Sequence, residues 1–156
     1  MSPSVSHGTL WFEDFATGQT YLTSGRTITE ADLVSFAGWS WDTNPVHTDA
    51  EFAARGRFGK PIAHGLLGMS VAMGLVSRLG IFEGSSIAWL GVDDWQVRAP
   101  IVAGDTVRCE VRILAVRPTS NGEAGILDRQ FDLVNQRDER VQRGRIGLMV
   151  SRRPTR

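Results

Sequence analysis

The sequence predicts an α+β fold in which a curved antiparallel sheet wraps round one long central helix, and three observations carry that reading. Residues from Pro61 to about Leu79 are apolar on all faces and interrupted by Gly65, Gly68 and Gly74, the pattern of a helix enclosed by neighbouring backbone. Everything after Gly84 changes character: segments 86–98, 105–117, 124–135 and 140–151 carry β-branched and apolar residues in partial alternation, as in Val107, Cys109, Val111 and Ile113. Between an N-terminal strand near Tyr21–Ile28 and the apolar helix lie two helix-start signals, each a hydroxyl residue followed three positions later by an acid.

In chain order, Thr29-Glu30-Ala31-Asp32 opens an amphipathic helix continued by Leu33, Phe36 and Ala37. Pro45 locks its own φ and pushes Asn44 out of the helical region, so a helix ending near Trp39 cannot run through to His47. A loop is therefore forced at Asp42-Thr43-Asn44. Thr48-Asp49-Ala50-Glu51 starts a second short helix that stops at Gly56, which places His47 just outside its N-terminus. The four strand segments, separated by Pro100, Gly104, Asn121-Gly122 and 135–137, read as a meander, with a turn at Asn121-Gly122. No internal repeat or long linker divides the chain, so residues 1–156 are expected to form one domain.

Composition narrows the function. The 17 basic and 17 acidic residues cancel, and Lys60 is the only lysine, so no overall field favours nucleic acid. Cys109 is the only cysteine, which rules out an internal disulfide and suits a reducing, cytoplasmic setting. No basic-plus-apolar leader precedes Trp11, and the apolar run from Ile62 to Val76 is too short for a bilayer span, so no membrane association is expected.

The chemistry concentrates in Trp41-Asp42-Thr43-Asn44-Pro45-Val46-His47, followed by Pro61-Ile62-Ala63-His64-Gly65. A carboxylate and an imidazole flank a proline turn, where their side chains can converge on a water molecule for proton transfer. Asn44 is suited to bracing this loop through an Asx turn. Asp42, His47, Asp49 and Glu51 are potential metal ligands, but they lack the H-x-x-x-H or C-x-x-C spacing of a zinc site, and no metal is expected. His64 reads as a buried structural histidine, outside the catalytic set.

On these paired motifs, with Phe12-Glu13-Asp14-Phe15, Arg26-Thr27-Ile28-Thr29 and the later strands, the chain resembles the MaoC-like, (R)-specific enoyl-CoA hydratase family, whose members have the hot-dog fold. The resemblance implies Asp42 and His47 as a water-activating dyad, with the Gly65 amide at the start of the central helix as oxyanion donor. Ser70 fits the place where the family often carries a serine one turn into that helix. Family members often have Gly before the catalytic Asp; here Trp41 stands there, a ring that would narrow an acyl pocket. Asn44, Trp41 and Ser70 are accordingly the expected substrate-binding residues. Arg55, Arg57 and Lys60 suit either coenzyme A phosphates or a solvated loop.

The implied reaction is hydration of a 2-enoyl thioester or dehydration of its 3-hydroxyacyl counterpart. It needs no metal or redox cofactor, with coenzyme A or acyl carrier protein entering as part of the substrate. A hot-dog thioesterase and a non-catalytic acyl-binding subunit of a dehydratase complex are the alternatives, since one fold serves all three. A homodimer is expected, because a sheet curled round one helix leaves strand edges and an apolar face to cover.

Overall fold

A computed structural model describes residues 8–155. The stretch read above as lacking a leader lies in part outside these residues. The elements in order are β1 (Thr20–Leu22), β2 (Arg26–Thr27), α1 (Glu30–Ser40), α2 (Pro45–Thr48), α3 (Ala50–Arg55), α4 (Gly65–Ser77), β3 (Ser86–Val97), β4 (Thr106–Pro118), β5 (Ala124–Val134) and β6 (Arg140–Ser151). All strand pairings are antiparallel, in the order β1-β4-β5-β6-β3, with β2 also on β4.

The concave face of this sheet holds α4. Leu67, Val71, Ala72, Leu75 and Val76 of the helix are buried against Val107, Cys109, Val111 and Ile113 of β4 and Leu127, Phe131 and Leu133 of β5. The expected helix from Pro61 begins only at Gly65, because Ala63 donates its amide to Ile101 and His64 takes the cap position. Burial of this apolar surface, at about 25 cal/mol per Å², is the main force fixing the helix to the sheet.

Three expectations are corrected. The last four strands are not a simple meander: β4, β5 and β6 follow one another, but β3 pairs with β6 at the far edge. Residues 98–105 instead carry the chain across the start of α4, with Arg98 bonded to Val141 and Ile101 to Ala63. The N-terminal strand is split into β1 and β2, because Thr23 accepts the Cys109 amide on its hydroxyl at 2.9 Å where a ladder carbonyl would stand. Finally, His47 lies inside a helical turn. Pro45 is the first residue of α2, a position that suits proline, and Asn44 caps it; Asp49, not Thr48, caps α3.

The β3 edge is irregular and apolar. Its register shifts at three places, and Ile87, Trp89, Leu90 and Val97 are exposed. Among the described residues no helix is long and apolar enough to cross a membrane.

Candidate active site

Two helix ends build the site. The Thr29–Asp32 capping box fixes the start of α1: the Thr29 hydroxyl accepts the Asp32 amide, and the Asp32 carboxylate accepts the Thr29 amide at 2.8 Å. At the other end Trp41 takes a left-handed conformation, φ 64° and ψ 8°, which turns the chain sharply and presents Asp42. Glycine is the residue that adopts this conformation at no steric cost, which gives a physical reason for glycine at this place in the family. The Trp41 ring is 89% exposed, so it is neither enclosed beside Asp42 nor packed on α1 within the chain.

Asp42 is braced from both sides. Its amide donates to the Ser40 hydroxyl at 3.3 Å, and its Oδ1 accepts the Asn44 amide at 3.3 Å. Asn44 in turn accepts the Val46 amide on Oδ1 at 3.1 Å, so its side chain is spent on capping α2. The Thr48 hydroxyl reaches back to the carbonyls of Thr43 and Asn44, closing the loop.

The structure brings Asp42 and His47 together: Asp42 Oδ2 lies 4.0 Å from His47 Nε2. His47 Nδ1 is 2.7 Å from the Ile62 carbonyl, which only accepts, so Nδ1 carries a proton and the neutral ring turns its Nε2 lone pair toward Asp42. His64 joins the pair. Its Nε2 is 2.8 Å from the Asp42 main-chain carbonyl and 4.0 Å from Oδ2, and its ring stacks on that of His47 with centroids 3.7 Å apart. Sequence reasoning set His64 aside as an ordinary core histidine. The available signal was its position directly before Gly65, where a helix cap of another residue type is usual.

Gly65 is the first residue of α4, so its N–H has no partner within the helix and lies at the positive end of the helix dipole. Its carbonyl accepts from Gln142 Nε2 at 3.0 Å, and a Cβ there would meet Val97 Cγ2 at 3.2 Å. Ser70 is exposed, donates its hydroxyl to the Leu66 carbonyl at 2.8 Å, and lines a cleft of about 560 Å³ with Ser24, Arg26 and Arg78. None of Asp42, His47 or Gly65 lines that cleft. A second cleft of about 640 Å³ reaches His47, walled by Leu33, Val34, Ala37, Pro61 and Ala103 with Lys60 beside them.

The ligand-type atoms of Asp42, His47 and His64 lie within 4.8 Å of one another. The bond to the Asp42 carbonyl, however, places a proton on His64 Nε2, so toward Asp42 this ring presents a donor rather than the lone pair a metal takes. Asp49 is engaged as the α3 cap.

A family model for the MaoC like domain matches residues 14–129. The chain belongs to the MaoC-like dehydratase family. Protein MaoC of Klebsiella aerogenes is 37% identical over 109 residues, 70% of this chain, and the chain spans 31% of that longer protein. An (R)-specific enoyl-CoA hydratase of Rhodospirillum rubrum is 34% identical over 113 residues, covering 69% of this chain and 72% of its own length. The crystal structure of a MaoC-like dehydratase from Rhodospirillum rubrum overlays with a TM-score of 0.84 at 30% identity, over 94% of this chain and 99% of that one. A Mycobacterium tuberculosis protein described as a double hotdog fold overlays over 96% of this chain and 46% of its own, with a TM-score of 0.79 at 19% identity, a likeness of fold alone. The architecture is thus the hot-dog fold, and the sheet wrapped round α4 is its MaoC-like form.

Proposed function

We propose that the protein adds water to a 2-enoyl thioester, or removes it from the 3-hydroxyacyl thioester, with (R) specificity, through Asp42, His47 and the Gly65 amide. The observation that supports this best is the approach of Asp42 Oδ2 to His47 Nε2, 4.0 Å, next to a helix whose first N–H has no partner within the helix. Two acceptors at that separation suit one water molecule hydrogen-bonded to both. The (R)-specific enoyl-CoA hydratase among the relatives points to the same reaction.

In the hydration direction, the dyad takes a proton from the water as its oxygen bonds to C3. The C2–C3 π pair moves toward the thioester carbonyl, whose oxygen gathers negative charge and is met by the Gly65 N–H. The proton then passes to C2, so that H and OH are added and the enzyme returns to its starting state. Asp42, His47 and Gly65 are the catalytic residues of this reading. The chemistry asks for acid, base and oxyanion donor, and no metal or redox group.

The apolar cleft beside His47 suits the acyl chain; Trp41, expected above to bind substrate, is not among the residues that line it. Asn44 serves by holding the loop, and Ser70 lies along the same helix as Gly65. The carrier is coenzyme A or acyl carrier protein, with Arg55 at the end of α3 and Arg57 and Lys60 on the segment that follows it. The exposed apolar β3 edge supports a homodimer, and the single buried cysteine suits the cytoplasm.

Incubation with a panel of 2-enoyl-CoA thioesters, following loss of the enoyl absorbance and analysing product stereochemistry, tests this. Formation of (R)-3-hydroxyacyl-CoA is the expected result. Release of free thiol with the double bond intact would make the protein a thioesterase, and binding without turnover would make it an acyl-binding subunit.

A further inference from the structure

His64 is almost fully buried, at 2% exposure, and occupies the cap position of α4 without capping it: its side chain bonds to no amide of its own helix. The ring is turned the other way, onto the Asp42 loop. Three contacts define it there. Nε2 donates to the Asp42 carbonyl at 2.8 Å, one face stacks on His47 at 3.7 Å with 24° between planes, and Phe36 leans against it at 4.9 Å and 50°. The remaining nitrogen, Nδ1, is buried with no hydrogen-bond partner among the described residues.

This is a costly arrangement for a residue whose only task is packing. Serine, threonine or aspartate at that position would cap α4, and a leucine would fill the space without burying an unpaired nitrogen. What the histidine alone supplies is a flat ring and an N–H on its far edge, and each meets one member of the dyad. The following residue is Gly65, so a single dipeptide contacts Asp42, His47 and the oxyanion position.

Resting on the reading of this site as a hydratase centre, we propose that His64 is a positioning residue for the dyad. Its Nε2–H holds the main-chain carbonyl of Asp42 at 2.8 Å, a shorter bond than the two of 3.3 Å that brace the residue from Ser40 and Asn44 after the left-handed Trp41. Its ring holds the plane of His47, whose other anchor is the single bond from Nδ1 to Ile62. His64 moves no proton itself; with Nε2 engaged and Nδ1 sealed in the core, it has no open route to a reacting atom.

Two variants separate these contributions. His64→Phe keeps a flat ring and loses the donor, whereas His64→Gln keeps an N–H at the reach of Nε2 and loses the stack. On a 2-enoyl-CoA substrate, His64→Phe is expected to lower kcat by 10-fold to 100-fold with KM changed less than threefold. His64→Gln is expected to recover at least a fewfold of the lost kcat. Wild-type kcat in His64→Phe overturns the proposal. So does a loss in folded His64→Gln as large as that of Asp42→Asn, which would make His64 a proton carrier.

A measurement that needs no turnover stands beside these. Long-range nitrogen–proton NMR spectra of the imidazoles, among only three histidines, should give His64 as the Nε2–H tautomer and His47 as the Nδ1–H tautomer. The His47 ring signals should broaden or shift in His64→Phe. If His64 carries its proton on Nδ1, the proposal fails whatever the enzyme does. Absence of wild-type turnover with these tautomers intact counts against the hydratase reading alone.

Discussion

The side-chain amide of Gln142 donates to the main-chain carbonyl of Gly65 at 3.0 Å, so strand β6 holds the first turn of α4 in place. Its other end is satisfied too: Oε1 accepts the Trp95 indole N–H at 3.1 Å. The amide is 1% exposed, and a Cβ at Gly68 would lie 2.2 Å from its nitrogen, so only glycine fits there. Gln142→Leu leaves the Trp95 N–H and the Gly65 carbonyl without this partner and is expected to lower stability by about 1–3 kcal/mol. Gln142→Glu sets a carboxylate against the carbonyl and should lower kcat further than Gln142→Leu does. Urea unfolding and kcat on both variants check this; equal kcat in the three proteins would remove Gln142 from any role in placing the Gly65 amide.

If the proposed dyad acts as described, Asp42→Asn keeps shape and deletes the base, and His47→Ala deletes its partner. Each is expected to lower kcat by about 10²–10⁴ with the fold intact, and the double variant should be scarcely worse than either alone. Additive losses would mean that the two act on separate steps.

Trp41→Gly has an expected sign that its exposure decides. An L-residue in the left-handed region costs about 1–2 kcal/mol, and glycine removes that strain while adding about 0.4–1 kcal/mol of unfolded-chain entropy. The net expectation is a small gain in melting temperature, with no shift in chain-length preference. A drop of several kcal/mol would place the ring in an interface between two copies, since none of the described residues covers it.

Strand content and the buried helix were legible because their signals are local: period two in Val107 to Ile113, and unbroken apolarity in α4. The placement of β3 beside β6 was not, since its partner lies some fifty residues on, and Pro100 and Gly104 mark a break in the chain without saying whether the flanking strands pair. Pro45 was legible as a helix breaker but also starts a helix, and the sequence offers both roles equally. In the site, Asp42, His47 and Gly65 stood in recognisable motifs. Gln142 stood in none, because its contact with Gly65 spans 77 positions. His64 was visible in its motif, yet its orientation depends on a loop that turns at Trp41.

Arg129 sits in the core at 2% exposure with no ion-pair partner among the described residues. Its guanidinium lies 5.0 Å from the Phe82 ring and 5.1 Å from Phe131; Nε donates to the Ile146 carbonyl at 3.3 Å, Nη2 has no partner, and burial lowers its pKa to about 10. Hydrophobic replacement of buried ionic groups is often neutral or stabilising by about 1–4 kcal/mol. Arg129→Met is therefore expected to hold or raise the urea midpoint at pH 7; a fall of more than about 1 kcal/mol would mean that the two aromatic faces outweigh the desolvation.

Burial pushes the Cys109 thiol up to about 12. Above about pH 9 the unfolded chain releases this proton while the folded chain keeps it. The associated stability is complete below that point and lost as pH rises toward 12, at up to about 1.4 kcal/mol per unit. The lowered Arg129 works in the opposite sense from about pH 10 and the Tyr21 phenol, raised by burial, in the same sense, so the thiol is read from the difference that its removal makes between pH 9 and 10. Cys109→Ala should flatten the fall of the urea midpoint across that interval; an unchanged slope would assign it to other groups.

Asp42 contributes to the site twice, once through its carboxylate and once through the main-chain carbonyl that His64 holds. Only the first depends on the side chain. Asparagine at that place offers the same carbonyl and keeps an Oδ1 for the Asn44 amide, so the turn, the stacked rings and the helix start stay assembled when the carboxylate is gone. Shape and reactivity are therefore separable here by one substitution. On the proposed reading, the passage from a catalyst to a protein that merely captures and carries its ligand requires no rebuilding of the fold, and Asp42→Asn doubles as a trap in which an unreacted enoyl thioester can be held for structure determination.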